Sequence, residues 1–261
     1  MKVIGIIPAR MAASRFPGKP LAPIAGMAML EHVYRRAALY SGWHRLAVAT
    51  CDSEIHDFSS ARQFEVIDTG NHHVRALDRV AEAVEKMGEK FSEEDIVVCV
   101  QGDEPLLDPA MIEAVINPIK ASMDVHATLL GLHVTEEEIW LNPDSVKLIS
   151  NDSGEVLYTT RSPIPYAKDG FSADLMARRI GGIFAFRLNA LQEFTSHPET
   201  RLETLESCDS NRLLDMSFRQ FVAPYPAVPM YSVDSPADIA LVEKALQSDE
   251  LFSRYSGLSA E

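Results

Sequence analysis

The sequence predicts an α/β protein with a three-layer, Rossmann-like arrangement, in which a mostly parallel central sheet carries an inserted antiparallel region. Two observations favour the parallel sheet. Short apolar runs alternate with segments of helical periodicity, and the connections between them have ordinary lengths. A third observation favours the insertion, because the second half contains a hairpin pattern that a purely parallel sheet does not need.

The first half of the chain consists of alternating strand and helix patterns. Residues 3–7 form a near-continuous apolar run that ends at Pro8, which is typical of a strand buried on both faces. Apolar side chains then recur at helical spacing from Met29 to Tyr40. The alternation continues with strands at 46–50, 64–68 and 96–100 and with helices near 54–63 and over 77–87.

The second half changes character after a helix that Asp108 and Pro109 begin. This helix is predicted to end at 116, and a strand at 127–134 and a hairpin of 146–150 and 156–160 follow. An irregular loop over 161–180 leads to a strand at 182–186 and a helix over 202–214. A closing helix begins at Ser235 and Pro236 and ends at 246. We expect a single domain over 1–247, with the antiparallel insertion at about 145–190, and a C-terminal tail over 248–261.

Composition excludes several classes of function. The 261 residues include 38 acidic and 24 basic side chains, which gives a net charge of −14, and 46% of them are hydrophobic, enough for a packed core. The negative charge argues against a surface for nucleic acid or anionic membrane, so an anionic ligand must meet a local cluster of cations. Three widely spaced cysteines form no disulfide framework, and we expect no signal peptide and no membrane span, which favours the cytoplasm.

The loop over residues 8–20 is the strongest candidate for ligand binding. It follows the first predicted strand, where open α/β sheets bind ligands, and it carries Arg10, Arg15 and Lys19 among small residues. Two prolines and a glycine next to Lys19 stiffen the backbone there. The loop lacks the residue order of a Walker motif, but its composition favours a polyphosphate over the alternative of a solvated basic loop.

A second candidate is the segment QGDEP at 101–105, directly after the strand at 96–100. Asp103 follows a glycine that allows close approach, and a carboxylate there suits a Mg²⁺ ion that substrate phosphates complete. An ordinary acidic turn is the alternative. Asp234 is either a helix-capping residue or a second carboxylate for the same ion, and the sequence alone does not bring it to Asp103.

The adjacent histidines His72 and His73 give a weaker signal. They point to opposite sides of any strand, and the sequence shows no further ligand at zinc-site spacing. We therefore expect no metal site there.

Two motifs carry a resemblance to a known family. They are IIPAR-x5-FPGKPLAPI at 6–24 and VQGDEP at 100–105. Three further segments show weaker similarity: NPDSVK at 142–147, LYTTRSPIP at 157–165 and VDSPADI at 233–239. Together, and in this order, they resemble the CMP-Kdo synthetase family, the 3-deoxy-manno-octulosonate cytidylyltransferases, over nearly the whole chain.

The resemblance implies a nucleotidyltransferase fold, a homodimer formed through the inserted antiparallel region at about 145–190, and Mg²⁺ as the cofactor. It also implies a reaction in which the anomeric hydroxyl of a 3-deoxy-ulosonic acid attacks the α-phosphorus of CTP, giving the CMP-sugar and pyrophosphate. The residues that match family positions are Arg10, Lys19 and Asp103 for catalysis; Ala9, Arg10, Arg15, Lys19, Asp78, Arg79 and Gln101 for CTP; Gln101, Arg161, Glu206 and Asp209 for the sugar; and Asp103 and Asp234 for the metal.

Three segments depart from the family pattern. RALDR at 75–79 stands where the family has S-G-T-E/D-R next to the base, so a glycine and a hydroxyl donor become Ala76 and Leu77. Ile180 stands where the family has a histidine next to the sugar. ESCDSNR at 206–212 keeps both acids and the arginine of E-x-L-E-Q-L-R but shortens the second acid.

These departures leave three functions open. The first is a cytidylyltransferase for a 3-deoxy-ulosonic acid that differs from ordinary Kdo, such as an amino-substituted or nine-carbon relative. The second is a nucleotidyltransferase of the same fold that uses another nucleotide or a sugar phosphate. The third is a nucleotide-binding protein without turnover, and the intact cations of the phosphate loop argue against it.

Overall fold

A computed structural model describes residues 1–12, 15–228 and 230–257 of the chain. The strands in the described residues are β1 (Val3–Pro8), β2 (Pro23–Ile24), β3 (Met27–Ala28), β4 (Arg45–Thr50), β5 (Val66–Asp68), β6 (Ile96–Val100), β7 (Ala127–His133), β8 (Lys147–Ser150), β9 (Val156–Thr160), β10 (Arg178–Arg187) and β11 (Gln220–Tyr225). The helices are α1 (Met29–Ala38), α2 (Ser53–Ala61), α3 (Ala76–Lys86), α4 (Pro109–Ala121), α5 (Glu137–Leu141), α6 (Leu188–Ser196), α7 (Arg201–Glu206), α8 (Ser210–Asp215), α9 (Pro236–Leu246) and α10 (Phe252–Ser256).

The chain forms two compact units. The first combines Met1–Ile112 with Pro229–Glu261, and the second is Glu113–Val228. The extent of the predicted single domain, 1–247, stays a prediction. No helix in the described part of the chain has the length and apolar character needed to cross a membrane.

The first unit contains a parallel sheet in the order β6-β1-β4-β5. The central strands are buried on both faces, as the apolar run at 3–7 predicts, because helices cover parallel sheets. The carboxyl ends of parallel strands lie at one edge of the sheet, so the loops after β1 and β6 meet there. This edge carries both predicted ligand-binding segments.

The carboxyl-terminal segment packs into the first unit. Tyr255 of α10 is 1% exposed, and its hydroxyl lies 2.9 Å from Nδ1 of the buried His32 in α1. Arg36 of α1 donates to the Leu107 carbonyl at 2.5 Å and forms an ion pair with Asp249. The described part of the predicted tail therefore contains a helix held by core contacts, while residues 258–261 lie outside the described residues.

The second unit contains the predicted antiparallel region. β8 and β9 form the predicted hairpin, β8 also pairs with β10, and β10 pairs with β7, all antiparallel, whereas β11 pairs with β7 in parallel. The α/β fold class with a mostly parallel sheet and an antiparallel insertion is thus confirmed.

The details of the second unit differ from the predictions at three places. The single helix predicted over 202–214 is wrong: α7 ends before Ser207, which has a φ of 50°, and α8 begins at Ser210. A left-handed residue interrupts helical hydrogen bonding and ends α7. β10 begins at Arg178, inside the predicted loop, and α5, α6 and β11 have no counterpart in the prediction.

Candidate active site

A cavity of about 330 Å³ lies at the carboxyl ends of β1 and β6 in the first unit. Its walls come from the loops after these two strands, from the start of α3 and from the segment that precedes α9. The charged side chains that line it are five cations, Arg10, Arg15, Lys19, Arg75 and Arg79, and two carboxylates, Asp103 and Asp234. In a chain of net charge −14, this local excess of cations favours an anionic ligand.

Two hydrogen bonds hold the cationic loop in place. The Met11 N–H donates to the carboxylate of Asp52 at 2.8 Å, and the Gly18 N–H donates to the Met11 carbonyl at 3.1 Å. Gly18 has a φ of 74°, a left-handed conformation that glycine adopts without strain. The turn at Gly18 directs Lys19 into the cavity.

Lys19 connects the three predicted segments of the site. Its ammonium group, in a side chain that is 14% exposed, donates to the carboxylate of Asp103 at 2.7 Å and to the Val233 carbonyl at 2.8 Å. The Val233 N–H in turn donates to the Asp103 carbonyl at 3.0 Å. The cationic loop after β1, the segment after β6 and the segment before α9 therefore meet around one ammonium group.

Asp234 is not the capping residue of α9. Ser235 occupies the N-cap position, and the Asp238 carboxylate accepts the backbone N–H groups of Asp234 and Ser235 at 2.9 and 2.7 Å. The Asp234 carboxylate instead accepts a hydrogen bond from Arg15 at 2.9 Å and lines the cavity. The structure thus brings Asp234 to the cavity that Asp103 also lines.

Gly102 allows the loop after β6 to approach β1. A Cβ atom at this position would lie 2.9 Å from the Pro8 carbonyl oxygen, closer than side-chain carbon atoms normally approach. Any larger residue would therefore displace Gln101 or Asp103, which flank the glycine and line the cavity.

The cations of the cavity differ in their surroundings. The Arg10 side chain is exposed, and within residues 1–12, 15–228 and 230–257 nothing pairs with its guanidinium. Arg79 is 3% exposed and donates to the Thr69 hydroxyl at 2.5 Å and to the Gly70 carbonyl at 3.3 Å, so it joins α3 to the segment after β5. Arg10 is therefore open to a ligand, while Arg79 also has a structural role.

Eight of the predicted nucleotide and metal residues line the cavity together. They are Ala9, Arg10, Arg15, Lys19, Arg79, Gln101, Asp103 and Asp234. Asp78, in the first turn of α3, is absent from the cavity lining formed by the described residues. The individual roles of all nine residues stay predictions.

The predicted sugar residues Arg161, Glu206 and Asp209 belong to the second unit. Burial disfavours ionisation of Glu206, but hydrogen bonds from the Arg161 N–H, Tyr158 and Thr160 outweigh it and hold its pKa below the usual value. The guanidinium of Arg161 donates to the carbonyls of Glu206, at 2.9 Å, and of Pro143 and Ser207. These bonds fix its orientation.

Asp209 occupies the N-cap position of α8 and is half-buried. Arg161, Glu206 and Asp209 thus share one neighbourhood at the turn between α7 and α8. Their predicted contacts with a sugar stay predictions.

Comparison with known proteins identifies the family. The sequence model of the cytidylyltransferase family matches residues 4–220, which is most of the chain. The chain belongs to this family.

Relatives of this cytidylyltransferase cover almost its whole length. A 3-deoxy-manno-octulosonate cytidylyltransferase from Nitratidesulfovibrio vulgaris (strain DP4) is 38% identical over 248 residues, 94% of this chain and 96% of the relative. An 8-amino-3,8-dideoxy-manno-octulosonate cytidylyltransferase from Shewanella piezotolerans is 37% identical over 250 residues, 95% of this chain and 100% of the relative. The resemblance to the CMP-Kdo synthetase family is confirmed, and the protein is a nucleotidyltransferase.

Solved structures agree with this assignment. CMP:2-keto-3-deoxy-manno-octonic acid synthetase, in complex with CTP, superposes with a TM-score of 0.85 at 30% identity, covering 95% of this chain and 99% of that chain. The fold is also shared with 4-diphosphocytidyl-2C-methyl-D-erythritol synthase, at a TM-score of 0.62 and 15% identity, covering 94% of this chain and 98% of that chain.

The departures from the family pattern lie in different environments in this cytidylyltransferase. Arg75 and Ala76, at the start of α3, line the cavity, whereas Leu77 is 5% exposed and belongs to the core. Ile180, in β10, packs against an apolar cluster that includes Leu129. Of these four positions, only Arg75 and Ala76 therefore alter the cavity wall of the first unit.

Two supporting residues were not predicted from the sequence. Asp52, which holds Met11, follows β4 as Asp103 follows β6, so a carboxylate after a parallel strand is the signal that could have revealed it. Lys147 is fully buried and donates to the Asn142 carbonyl at 2.6 Å, and burial lowers its pKa. It anchors the NPDSVK segment, of which it is the last residue.

Proposed function

We propose that this protein transfers a cytidylyl group from CTP to a 3-deoxy-ulosonic acid, either Kdo or an amino-substituted or nine-carbon relative. The observation that carries the proposal is the cavity of the first unit, in which five cations and two carboxylates line a space within the size range of small-ligand sites. The names of the two relatives and of the CTP complex support CTP and an eight-carbon acid as substrates.

The proposed reaction makes one bond and breaks one. The anomeric hydroxyl oxygen bonds to the α-phosphorus of CTP, and the bond from that phosphorus to the bridging oxygen breaks. Pyrophosphate leaves with the electron pair, and the hydroxyl proton is released to solvent. Negative charge develops on phosphoryl oxygens, so fixed cations accelerate such a transfer. Arg10, Arg15 and Lys19 are the cations that we assign to this role, and no covalent enzyme intermediate is required.

The donor set of Asp103 and Asp234 fits Mg²⁺. Mg²⁺ prefers oxygen ligands and is usually bound through one or two carboxylates together with substrate phosphates. Each carboxylate has a cationic partner at 2.7 or 2.9 Å, Lys19 or Arg15, so each is held at the cavity wall. When bound there, Mg²⁺ would neutralise triphosphate charge, and the two cations would be released to donate to phosphate oxygens.

Release of pyrophosphate from CTP tests the proposal. Purified protein with CTP and Mg²⁺ should release pyrophosphate when given Kdo or 8-amino-3,8-dideoxy-manno-octulosonate. Lys19→Met should lower kcat/KM by about 100- to 1000-fold, the cost of losing one preorganised charge donor. Lys2→Met is the matched control, because Lys2 pairs with Glu89 outside the cavity, and it should leave the rate unchanged.

Two results would contradict the proposal. Tight nucleotide binding without turnover on any acid would instead favour the nucleotide-binding protein. Full activity of Lys19→Met would show that the cavity does not take part in the reaction.

A second candidate, a nucleotidyltransferase with another base preference, is favoured by Arg75 and Ala76 in the cavity wall. Ligand binding to the folded state raises the melting temperature, so CTP, ATP, GTP, UTP and dTTP can be compared with and without Mg²⁺. A Mg²⁺-dependent shift selective for CTP supports the first proposal. A larger shift with another nucleotide supports the second.

We also propose a homodimer, as the family resemblance implies. The second unit supports this assembly, because Leu157, Tyr166 and Met176 are large apolar side chains that are 53%, 86% and 57% exposed. Sedimentation velocity should give twice the chain mass of 28.9 kDa, and a single species of the chain mass would contradict the proposal.

A further inference from the structure

His72, His73 and Glu82 form a cluster that the predicted function does not use. The two histidines follow β5, Glu82 lies in α3, and one potential ligand atom of each residue lies within 4.8 Å of the others. The imidazole rings of His72 and His73 have centroids 4.1 Å apart. The sequence shows no partner for these histidines at zinc-site spacing, but folding brings Glu82 of α3 next to them.

Glu82 is held in position by contacts with three neighbours, Gly70, His73 and Lys86. The Gly70 N–H donates to both of its carboxylate oxygens, at 3.1 and 2.9 Å, and Lys86 pairs with it at 2.7 Å. These hydrogen bonds orient the carboxylate, as ligating carboxylates are oriented in metal sites.

The two histidines approach the carboxylate in different ways. His73 is 11% exposed at its side chain, and its Nε2 atom is hydrogen-bonded to Glu82. His72 is exposed, and its ring lies over Gly70 so closely that a Cβ on Gly70 would be 2.4 Å from Nδ1. Gly70 therefore both orients the carboxylate and makes room for the second imidazole.

The donor set indicates the class of ion. Zn²⁺ binds imidazole nitrogen at about 2.0–2.1 Å and carboxylate oxygen at about 2.0–2.2 Å, which places two ligand atoms of a tetrahedral site about 3.3 Å apart. The widest separation, up to 4.8 Å, closes to this value through a side-chain movement of about 1.5 Å by the exposed His72. The His73–Glu82 pair is closer than this value, so its hydrogen bond opens to admit the ion. Two imidazoles with one carboxylate suit Zn²⁺ and neighbouring transition metals, whereas Mg²⁺ takes oxygen ligands.

We propose that His72, His73 and Glu82 bind a divalent transition-metal ion of the Zn²⁺ type, with three protein ligands and an open fourth position. This site is separate from Asp103 and Asp234, which it does not use. His73 lines the proposed nucleotide cavity, so the ion lies at the wall of that cavity.

Titration calorimetry with ZnCl₂ on the full chain tests the site, with MgCl₂ as the comparison. One Zn²⁺ should bind per chain, and Mg²⁺ should not compete for it. His72→Ala, which removes an exposed side chain, should weaken Zn²⁺ binding by at least about 10-fold, since even outer partners of metal ligands contribute 10- to 100-fold. Glu82→Gln should weaken it as well.

His56→Ala is the matched control, because His56 is a partly exposed histidine that pairs with Asp68 at 2.8 Å outside the cluster. It should bind Zn²⁺ as the wild type does. Co²⁺ substitution gives an independent readout, since a tetrahedral site produces visible absorption bands that His72→Ala should abolish. Equal Zn²⁺ affinity in His72→Ala, His56→Ala and the wild type would overturn the proposal, and so would the absence of stoichiometric binding.

Discussion

Replacing Glu203 by glutamine removes the charge from a fully buried ion pair. Glu203 is 0% exposed and Arg212 3% exposed at the side chain, and the guanidinium of Arg212 donates to both carboxylate oxygens at 2.7 and 2.5 Å. Arg212 also donates to the carbonyls of Phe194 and His197 at 3.1 and 3.2 Å. A glutamine keeps the shape but removes the carboxylate charge that faces the guanidinium.

The expected loss follows from this burial. Breaking a buried pair by removing one partner costs about 3–5 kcal/mol, and the retained amide oxygen places Glu203→Gln at about 3 kcal/mol. A protein near this size loses about 2–4 °C of melting temperature per kcal/mol, so thermal denaturation should show a fall of about 6–12 °C. Arg201→Met, an exposed change in the same helix, is the control and should stay within about 0.5 kcal/mol of the wild type.

A double-mutant cycle completes the test. Because the two residues form one network, Glu203→Gln in the Arg212→Met background should cost far less than it does alone. The pair also connects α7 to α8 on either side of Glu206 and Asp209. We therefore expect Glu203→Gln to raise KM for the sugar acid more than KM for CTP. Additive losses, or a melting temperature within a degree of the wild type, would refute the assignment of a coupled buried pair.

Two further predictions concern the first unit. Gly102→Ala places a carbon 2.9 Å from the Pro8 carbonyl, so the loop after β6 must shift, and nucleotide binding measured by calorimetry should weaken while the far-ultraviolet circular dichroism spectrum is retained. Burial, assisted by the charge of Arg36, lowers the pKa of His32 from 6.5, so the unfolded chain takes up a proton that the folded protein excludes. The free energy of unfolding should therefore fall as the pH drops below about 6.5, and His32→Asn should reduce this dependence on pH in urea titrations at several pH values. Unchanged nucleotide binding by Gly102→Ala would contradict the first prediction. An unchanged pH dependence in His32→Asn would contradict the second.

The sequence predicts the parallel sheet well because the signal for each strand is local. The apolar run at 96–100 and the periodicity over 77–87 each specify an element without reference to the rest of the chain, and both elements occur close to these positions. The break between α7 and α8 is not visible in this way, since it depends on the left-handed conformation of Ser207.

For the site as well, features with a local sequence signal are predictable and features that depend on long-range contacts are not. The cations after β1 and the carboxylate after β6 are recognisable because each follows a strand end. The meeting of Asp103 with Val233 depends on a contact across about half of the chain, and the placement of Asp234 depends on a contact with Arg15, 219 residues away in the sequence. The cluster of His72 and Glu82 likewise depends on how α3 packs, and adjacent histidines give no hint of it.

The fate of labelled phosphorus tests the proposed function most directly. With CTP labelled at the α-phosphorus, Kdo or its 8-amino relative, and Mg²⁺, we predict that the label enters a sugar nucleotide identified as the CMP-sugar by mass spectrometry. With CTP labelled at the γ-phosphorus, the label should appear in pyrophosphate in equal amount. Label from the γ-position in inorganic phosphate or in a sugar phosphate, with no CMP-sugar formed, would contradict cytidylyl transfer by this protein.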